Sequence, residues 1–506
     1  EAQNGAPASL PARFWGLVVL TGLGGGLLMV LLRLVQHFCW SYQTGDFLNA
    51  VQHATTARRV GILVGAGAIA AVIRWLLQKQ STGQLSELTA AIWFRSGRMA
   101  PLSTVTNAVL SIVLVAMGAS LGRESAPKQI GALTASVLAG WTSLPPTQRR
   151  LLAACGAGAG MAAVYNIPFG GALFALEVLL GTLSLPLIAP AMATSFIAVA
   201  VSWLFLPDRP TYAIPFYGIS AGLVVWALLA GPLAGLASVA YVRVISWADA
   251  RKPKGLPLLI VPISVFGILG CLSIVFPQLL GNGKDVVQLA FLGQVGVPLL
   301  LSLVVLKPVM TAACIGSGAP GGLFTPTLTY GALLGGLLGH GWALLWADAA
   351  PGTYALIGAG AVLAATTQGP VSAMVMLMEL TRRLDTLMVP MLIAVAGAVV
   401  VARLFESRSI YSGRIHTGRA ATRARQDGRA LAGDFEVISA AAHYGELLHL
   451  LLKLADHPKP LYVADERGRL VGEVSRQKVL DPDASLVPLE TATAADFVTP
   501  VVAGHA

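Results

Sequence analysis

Gly158-Ala-Gly-Met-Ala-Ala-Val-Tyr-Asn-Ile-Pro168, followed by Glu177, has a second copy in Gly360-Ala-Val-Leu-Ala-Ala-Thr-Thr-Gln-Gly-Pro370, followed by Glu379. The prolines (168 and 370) and the glutamates (177 and 379) are both 202 positions apart. A second pair lies upstream. Gly118-Ala-Ser-Leu-Gly-Arg-Glu-Ser-Ala-Pro127 has a rough counterpart in Gly316-Ser-Gly-Ala-Pro-Gly-Gly-Leu-Phe-Thr-Pro326, at about the same shift. One matched pair is within reach of chance. Two pairs, in one order and at nearly one offset, point to two homologous halves. Halves with matched glycine-rich breaks imply a repeat-built transporter whose site lies near the membrane midplane, where the repeats meet.

The surrounding chain is apolar. Its 506 residues are 55% hydrophobic and 11% charged, with mean hydropathy +0.72. A soluble domain carries ~25% charged residues, so this is the composition of a polytopic membrane protein. The apolar content ends near residue 410. Apolar spans such as 130–141, 151–164, 354–366 and 370–380 are shorter than the ~20 residues a helix needs to cross a bilayer. Pro168, Pro186, Pro190, Pro308, Pro320, Pro326 and Pro370 interrupt the pattern further. Short, broken segments predict helices that end partway through the membrane. The first span, Phe14 to Leu32, reads as a retained helix and not as a signal peptide. The chain therefore divides into an N-terminal segment (1–13), a first membrane repeat (14–210), a second (211–415), an Arg-rich linker (416–433) and a small α/β module (434–506). In that module, Pro460 to Val474 reads as strand, Asp-Glu-x-Gly turn, strand.

Net charge is +10. The basic residues fall in short loops and in the run from Arg403 to Arg429, not on one soluble face. This reads as a positive-inside signal that puts both termini in the cytoplasm, and it excludes a nucleic-acid partner. Cys39, Cys155, Cys271 and Cys314 lie in apolar surroundings with no Cys-x-x-Cys spacing, and read as small core residues. No paired histidines, Ser-His-Asp set or metal cluster falls among the spans, so neither an enzyme nor a cofactor is expected.

Within this apolar chain, Arg123-Glu124 on glycine-punctuated backbone needs a reason. Ionisable groups at membrane depth mark substrate paths. Glycines admit close approach of backbone N–H groups to an ion, and helix N-termini favour anions. The segment reads as an anion site holding a titratable carboxylate.

Four ordered segments resemble the CLC family of chloride channels and transporters, and look most like its bacterial ClcB-type branch. They are Gly122-Arg-Glu124, Asn166 to Glu177, Gly316 to Pro326 and Ser409-Ile-Tyr-Ser412. The resemblance covers most of residues 14–415. It implies an all-α polytopic membrane protein, a CLC-type inverted repeat of many tilted and broken helices. It also implies a homodimer with one pore per subunit, in the bilayer of a bacterial inner (plasma) membrane. Glu124 is then the gate, occupying an anion site when charged and yielding when protonated. Backbone N–H groups of Leu323 and Phe324, with the Tyr411 hydroxyl, are implied to bind chloride. Gly122 and Arg123 complete the loop, with Arg123 orienting it. Apart from the family, Tyr411 reads as an interfacial tyrosine and Phe324 as core.

The chain also departs from the family pattern. The loop that supplies a filter serine has no counterpart, and Ser81, Thr82 and Ser86 are the candidates near its place. Ser125-Ala126 follows the gate where Gly-Pro is usual. Lys128 stands where an apolar residue is common, and is read as snorkelling to water in preference to acting on the anion. Proton-coupled members carry a second glutamate at the position of Val178, which holds no proton; the adjacent Glu177 is read as a helix-packing carboxylate. Passive, channel-like chloride conduction is therefore the expected function, with proton-coupled chloride antiport as the alternative. Two lesser readings are a fluoride exporter, which the retained Tyr411 disfavours, and a nucleotide sensor. The last rests on residues 434–506, which resemble one CBS (cystathionine-β-synthase) domain and a truncated second, a pair too incomplete to favour nucleotide binding.

Overall fold

The computed structural model describes residues 12–411 except for 24–26, 42–45, 80–87, 95–96, 143, 205–207 and 384. Beyond 411 it describes 436–440, 442, 445–447, 450, 461–464, 470–474, 479, 493–494 and 498–500. Ser81, Thr82, Ser86 and the 416–433 linker lie outside the described residues.

Helices α1 (Ala12–Leu23), α2 (Leu27–Trp40), α3 (Phe47–His53), α4 (Thr56–Lys79) and α5 (Leu88–Phe94) lead the chain. Then follow α6 (Pro101–Ala116), α7 (Ser125–Trp141), α8 (Pro146–Tyr165), α9 (Pro168–Leu173) with a π-helical continuation over Phe174–Leu180, and α10 (Leu185–Ser202). The second half opens with α11 (Ala221–Ala250), α12 (Pro257–Val275), α13 (Lys284–Phe291) and α14 (Val297–Gly316). It closes with α15 (Phe324–Ala343), α16 (Pro351–Thr367), α17 (Pro370–Thr381) and α18 (Met388–Leu404). Among the described helices, α4, α10, α11, α12 and α14 are long and apolar enough to cross a bilayer. Four more, α6, α9 with its continuation, α17 and α18, are apolar but shorter.

Local chemistry sets the breaks. Proline occupies the first turn of α6, α8, α9, α12, α14, α16 and α17, where it has no helical N–H bond to lose. Asn166 (φ 58) closes α8 and Gln368 (φ 56) closes α16 in the left-handed conformation, at the same 202-residue offset as the repeat. Two expectations change. Pro190 and Pro308 lie inside continuous helices α10 and α14 instead of ending them, because packed neighbours in a bundle re-satisfy the carbonyls that proline frees. The spans 130–141 and 151–164 belong to the longer α7 and α8, whose first turns carry polar residues that a hydropathy reading leaves out.

The two halves lock through a reciprocal pair of carboxylates. Glu177 accepts from the N–H groups of Val371 (3.2 Å) and Ser372 (2.6 Å) and from the Ser372 hydroxyl (2.6 Å). Glu379 accepts from the N–H groups of Phe169 (3.0 Å) and Gly170 (2.6 Å). Each glutamate near the end of one helix thus caps the start of its counterpart. Only antiparallel helices can do this, so α9 and α17 run in opposite directions, as an inverted repeat requires. Glu177 thus caps α17 as its matched Glu379 caps α9.

Cys155 and Cys314 are buried in the core, Cys39 is half-buried and Cys271 is exposed on α12; all four are free. The C-terminal residues form a four-stranded sheet of β1 (Glu436–Ser439), β2 (Leu461–Ala464), β3 (Leu470–Val474) and β4 (Val498–Pro500), in that order. β1 pairs parallel with β2; β2–β3 and β3–β4 are antiparallel. β2 and β3 fall where the sequence places strand, turn, strand. Leu461, Val463 and Val474 help form the module's own small core.

Candidate functional site

The loops before α7 and α15 meet at the centre of the molecule. Gly122 and Gly322 exchange backbone hydrogen bonds of 2.8 and 2.9 Å in an isolated antiparallel bridge. This brings two helix N-termini together, since α7 starts at Ser125 and α15 at Phe324. Both present the positive ends of their dipoles and unsatisfied N–H groups. An anion is the natural occupant of such a place.

The occupant here is the Glu124 side chain, which is fully buried. Its Oε1 accepts the Phe324 N–H at 2.7 Å. Its Oε2 accepts the Tyr165 hydroxyl at 3.1 Å and the Thr325 hydroxyl at 3.4 Å, and those two hydroxyls bond to each other. The carboxylate oxygens stand in for a bound anion. Hydrogen bonds to a charged group contribute about 1.5–3 kcal/mol each. Together with two dipoles they offset the several kcal/mol that desolvating a carboxylate costs.

The expected site residues separate into two groups. Gly122, Glu124, Leu323 and Phe324 are together. Phe324, not Leu323, supplies the N–H to the carboxylate; Leu323 is the buried N-cap of α15. Arg123 lies with its guanidinium 5.0 Å from the centre of the Tyr165 ring and makes no ion pair among the described residues. It therefore steadies the tyrosine that donates to Glu124 instead of pairing with the glutamate. Tyr411 sits one step away: its ring lies edge-on to Phe174, with centroids 5.5 Å apart. Val178 is half-buried next to Gly369, at the start of α17.

Lys128 overturns its expectation. It is 4% exposed and does not reach water. Its ammonium lies 4.6 Å from the centre of the Tyr411 ring and 5.1 Å from that of Phe174. The two ring faces hold the cation by contacts worth up to about 2 kcal/mol when desolvated.

Sequence reasoning also missed three residues. Tyr165 and Thr325 are donors to Glu124 that no motif flags, although a tyrosine among alanines and glycines just before Pro168 is a usable signal. Lys307 is buried in α14 and donates to the carbonyls of Leu279 and Gly281, both at 2.9 Å. The Gly281 N–H in turn holds the Gly118 carbonyl at 2.9 Å. A lone lysine inside an apolar span was the overlooked signal.

The family model described as voltage gated chloride channel matches residues 61–403. The chain belongs to the voltage-gated chloride channel (CLC) family. A ClcB-like protein of Ralstonia nicotianae is 33% identical over 371 residues, covering 70% of this chain and 82% of that one. The voltage-gated ClC-type chloride channel ClcB of Salmonella typhimurium is 31% identical over 396 residues, covering 75% and 92%. Among solved structures, a slow cyanobacterial Cl−/H+ antiporter superposes with a TM-score of 0.70 at 21% identity, covering 83% of this chain and all of that one. A CLC-type fluoride/proton antiporter gives 0.62 at 22% identity, covering 80% and 99%. These likenesses establish the CLC fold, and with it a helical membrane domain built on the architecture expected from the repeat.

Proposed function

We propose that this CLC protein moves chloride across a bacterial inner membrane along a path that Glu124 closes when ionised and opens when protonated. The observation that carries the reading is the Glu124 carboxylate seated between two helix N-termini on the Phe324 N–H. A halide ion asks for the same donors, so carboxylate and chloride compete for one place. Protonation removes the charge that holds the side chain there and releases the position to the ion. The donors are neutral, which suits an ion that must also leave. Chloride is the anion in the relatives' names.

Proton–chloride exchange is the preferred mode. Each release of the carboxylate from this pocket takes up a proton, which ties anion passage to proton movement, and chloride/proton antiport is also what the cyanobacterial protein of the same fold performs by its description. Passive conduction is the second reading. It rests on Val178, which carries no proton, and on Glu177, whose carboxylate is engaged in capping α17. The homodimer and cytoplasmic termini implied by the resemblance complete the proposal.

The test is a coupled flux assay on purified protein in liposomes. A chloride gradient is expected to drive protons uphill, at a fixed ratio to chloride. Chloride efflux without proton movement selects the passive mode, and absence of chloride flux overturns the transport reading.

A further inference from the structure

We propose that Lys307 is a positioning residue for Glu124: acting through the turn between α12 and α13, it fixes the start of the loop that carries the carboxylate. The inference rests on the reading of Glu124 as the gate and names a residue outside its pocket on which that gate depends.

A chain of contacts carries it. Lys307 lies inside α14 and is buried. Its ammonium donates to the carbonyls of Leu279 and Gly281, both at 2.9 Å. Gly281, at φ 68, turns its N–H onto the Gly118 carbonyl at 2.9 Å. Gly118 opens the loop between α6 and α7. Ala119, Ser120 and Leu121 separate it from Gly122, which bridges to Gly322. Between the two glycines, the Ser120 hydroxyl lies 3.4 Å from that of Thr311, one turn along α14 from Lys307. The loop is held at its start, its middle and its end, and α14 supplies the first two holds.

These holds constrain Glu124. Each residue spans at most about 3.3–3.6 Å, so a slip at Gly118 passes to Gly122 with little slack. Glu124 is two positions past the bridge, and its Oε1 meets the Phe324 N–H at 2.7 Å. Hydrogen bonds weaken steeply as their angle falls, so a small shift of the loop loosens the ionised carboxylate. An ammonium inside an apolar helix is costly to keep. Asp285, on the helix that follows the same turn, accepts the Leu48 N–H at 2.7 Å and forms no ion pair with Lys307. There are two competing accounts. If Lys307 serves packing alone, its loss changes efflux alike whether or not residue 124 can ionise. If it acts by charge alone, breaking the chain at Gly281 has no effect.

The experiment measures chloride efflux from liposomes across a range of pH for full-length wild type, Lys307→Met, Gly281→Ala, Glu124→Gln and the Lys307→Met, Glu124→Gln double variant. Folding is checked by thermal unfolding in detergent. Lys307→Met keeps the stem's bulk and removes the donors. Gly281→Ala changes no charge. Its methyl would stand 2.8 Å from the Phe47 ring, at a φ alanine rarely adopts, so the turn shifts off Gly118. Both single variants are expected to open efflux at higher pH than wild type and to raise it about threefold at neutral pH, the ratio one weakened hydrogen bond is worth. In the Glu124→Gln background, Lys307→Met is expected to leave efflux unchanged. Lys307→Gln, uncharged but polar, answers the same question if the methionine variant does not fold. A wild-type pH profile in a folded Lys307 variant overturns the inference, as does an equal change in both backgrounds. A shifted Lys307 variant beside a folded Gly281→Ala with the wild-type profile overturns it too, in favour of charge. In each of these cases the gate reading stands. Wild-type pH dependence in Glu124→Gln overturns that reading and the inference with it.

Discussion

At the scale of single residues, the Glu124 side chain is held by space as much as by hydrogen bonds. A methyl group placed on Gly322 would stand 2.0 Å from Glu124 Oε1, and one on Gly122 would stand 2.2 Å from it. The obstructed atom is the end of a flexible side chain, so the carboxylate gives way before the backbone does. Gly322→Ala is therefore expected to expel Glu124 and to raise chloride efflux from liposomes at neutral pH, with a flattened pH profile; a wild-type profile counts against the pocket. Glu124→Gln removes the charge outright and is expected to abolish the pH dependence of efflux, and persistence of that dependence would assign the gate elsewhere. Tyr165→Phe deletes one donor to the ionised form, worth about 1.5–3 kcal/mol. The charged carboxylate is then held less well, so efflux is expected to open at higher pH than in wild type. A midpoint that stays in place, or moves down, contradicts the hydrogen bond. Glu124 was legible in the sequence because a charged pair in an apolar chain demands a role. Tyr165 and Thr325 were not, because their contacts span 41 and 201 residues and follow no local pattern. Lys128 misled for a related reason: its long stem allows snorkelling, and only the fold brings two ring faces to it.

At the scale of elements, the repeat was legible because it is written as an offset, and the offset survives in three dimensions. Val371 and Ser372, which Glu177 caps, stand 202 positions from Phe169 and Gly170, which Glu379 caps. The sequence displayed the two glutamates but not what they bind, because the partner of each lies in the other half. Each cap joins an ionised oxygen pair to two backbone N–H groups at a helix start, where the dipole adds to the attraction. Glu177→Ala and Glu379→Ala are each expected to lower stability by about 2–4 kcal/mol, read as a drop in the midpoint of thermal unfolding in detergent. Unchanged midpoints in both would remove the caps as a source of cohesion between the halves. The interior prolines were misread for the converse reason. A proline signals a break only where no neighbour compensates, and the sequence does not show neighbours.

At the scale of the whole molecule, the pocket that holds the Glu124 carboxylate belongs to neither half. Glu124 and Tyr165 come from the first, while Phe324 and Thr325 come from the second, and the Gly122–Gly322 bridge is the seam. The connection between the halves runs through an irregular stretch between α10 and α11, and an atom added to Gly218 there meets nothing within 4 Å. Helices in a bilayer insert and then associate through packing and polar contacts, so the covalent link at this point contributes little to the seam itself. Fragments 1–218 and 219–506, co-expressed, are therefore expected to copurify and to restore chloride efflux to within about threefold of the intact chain, the loss being the association entropy that the linker otherwise suppresses. Either fragment alone is expected to give none, because each carries half of the donors to one ion. Efflux from fragment 1–218 alone would mean that Glu124 gates without the Phe324 N–H. Failure of the pair to copurify would mean that the bridge and the two caps do not hold the halves together. Glu177→Ala, introduced into the pair, separates these cases: it is expected to weaken copurification while leaving the wild-type pH profile in whatever complex survives, since Glu177 binds the other repeat and not the ion.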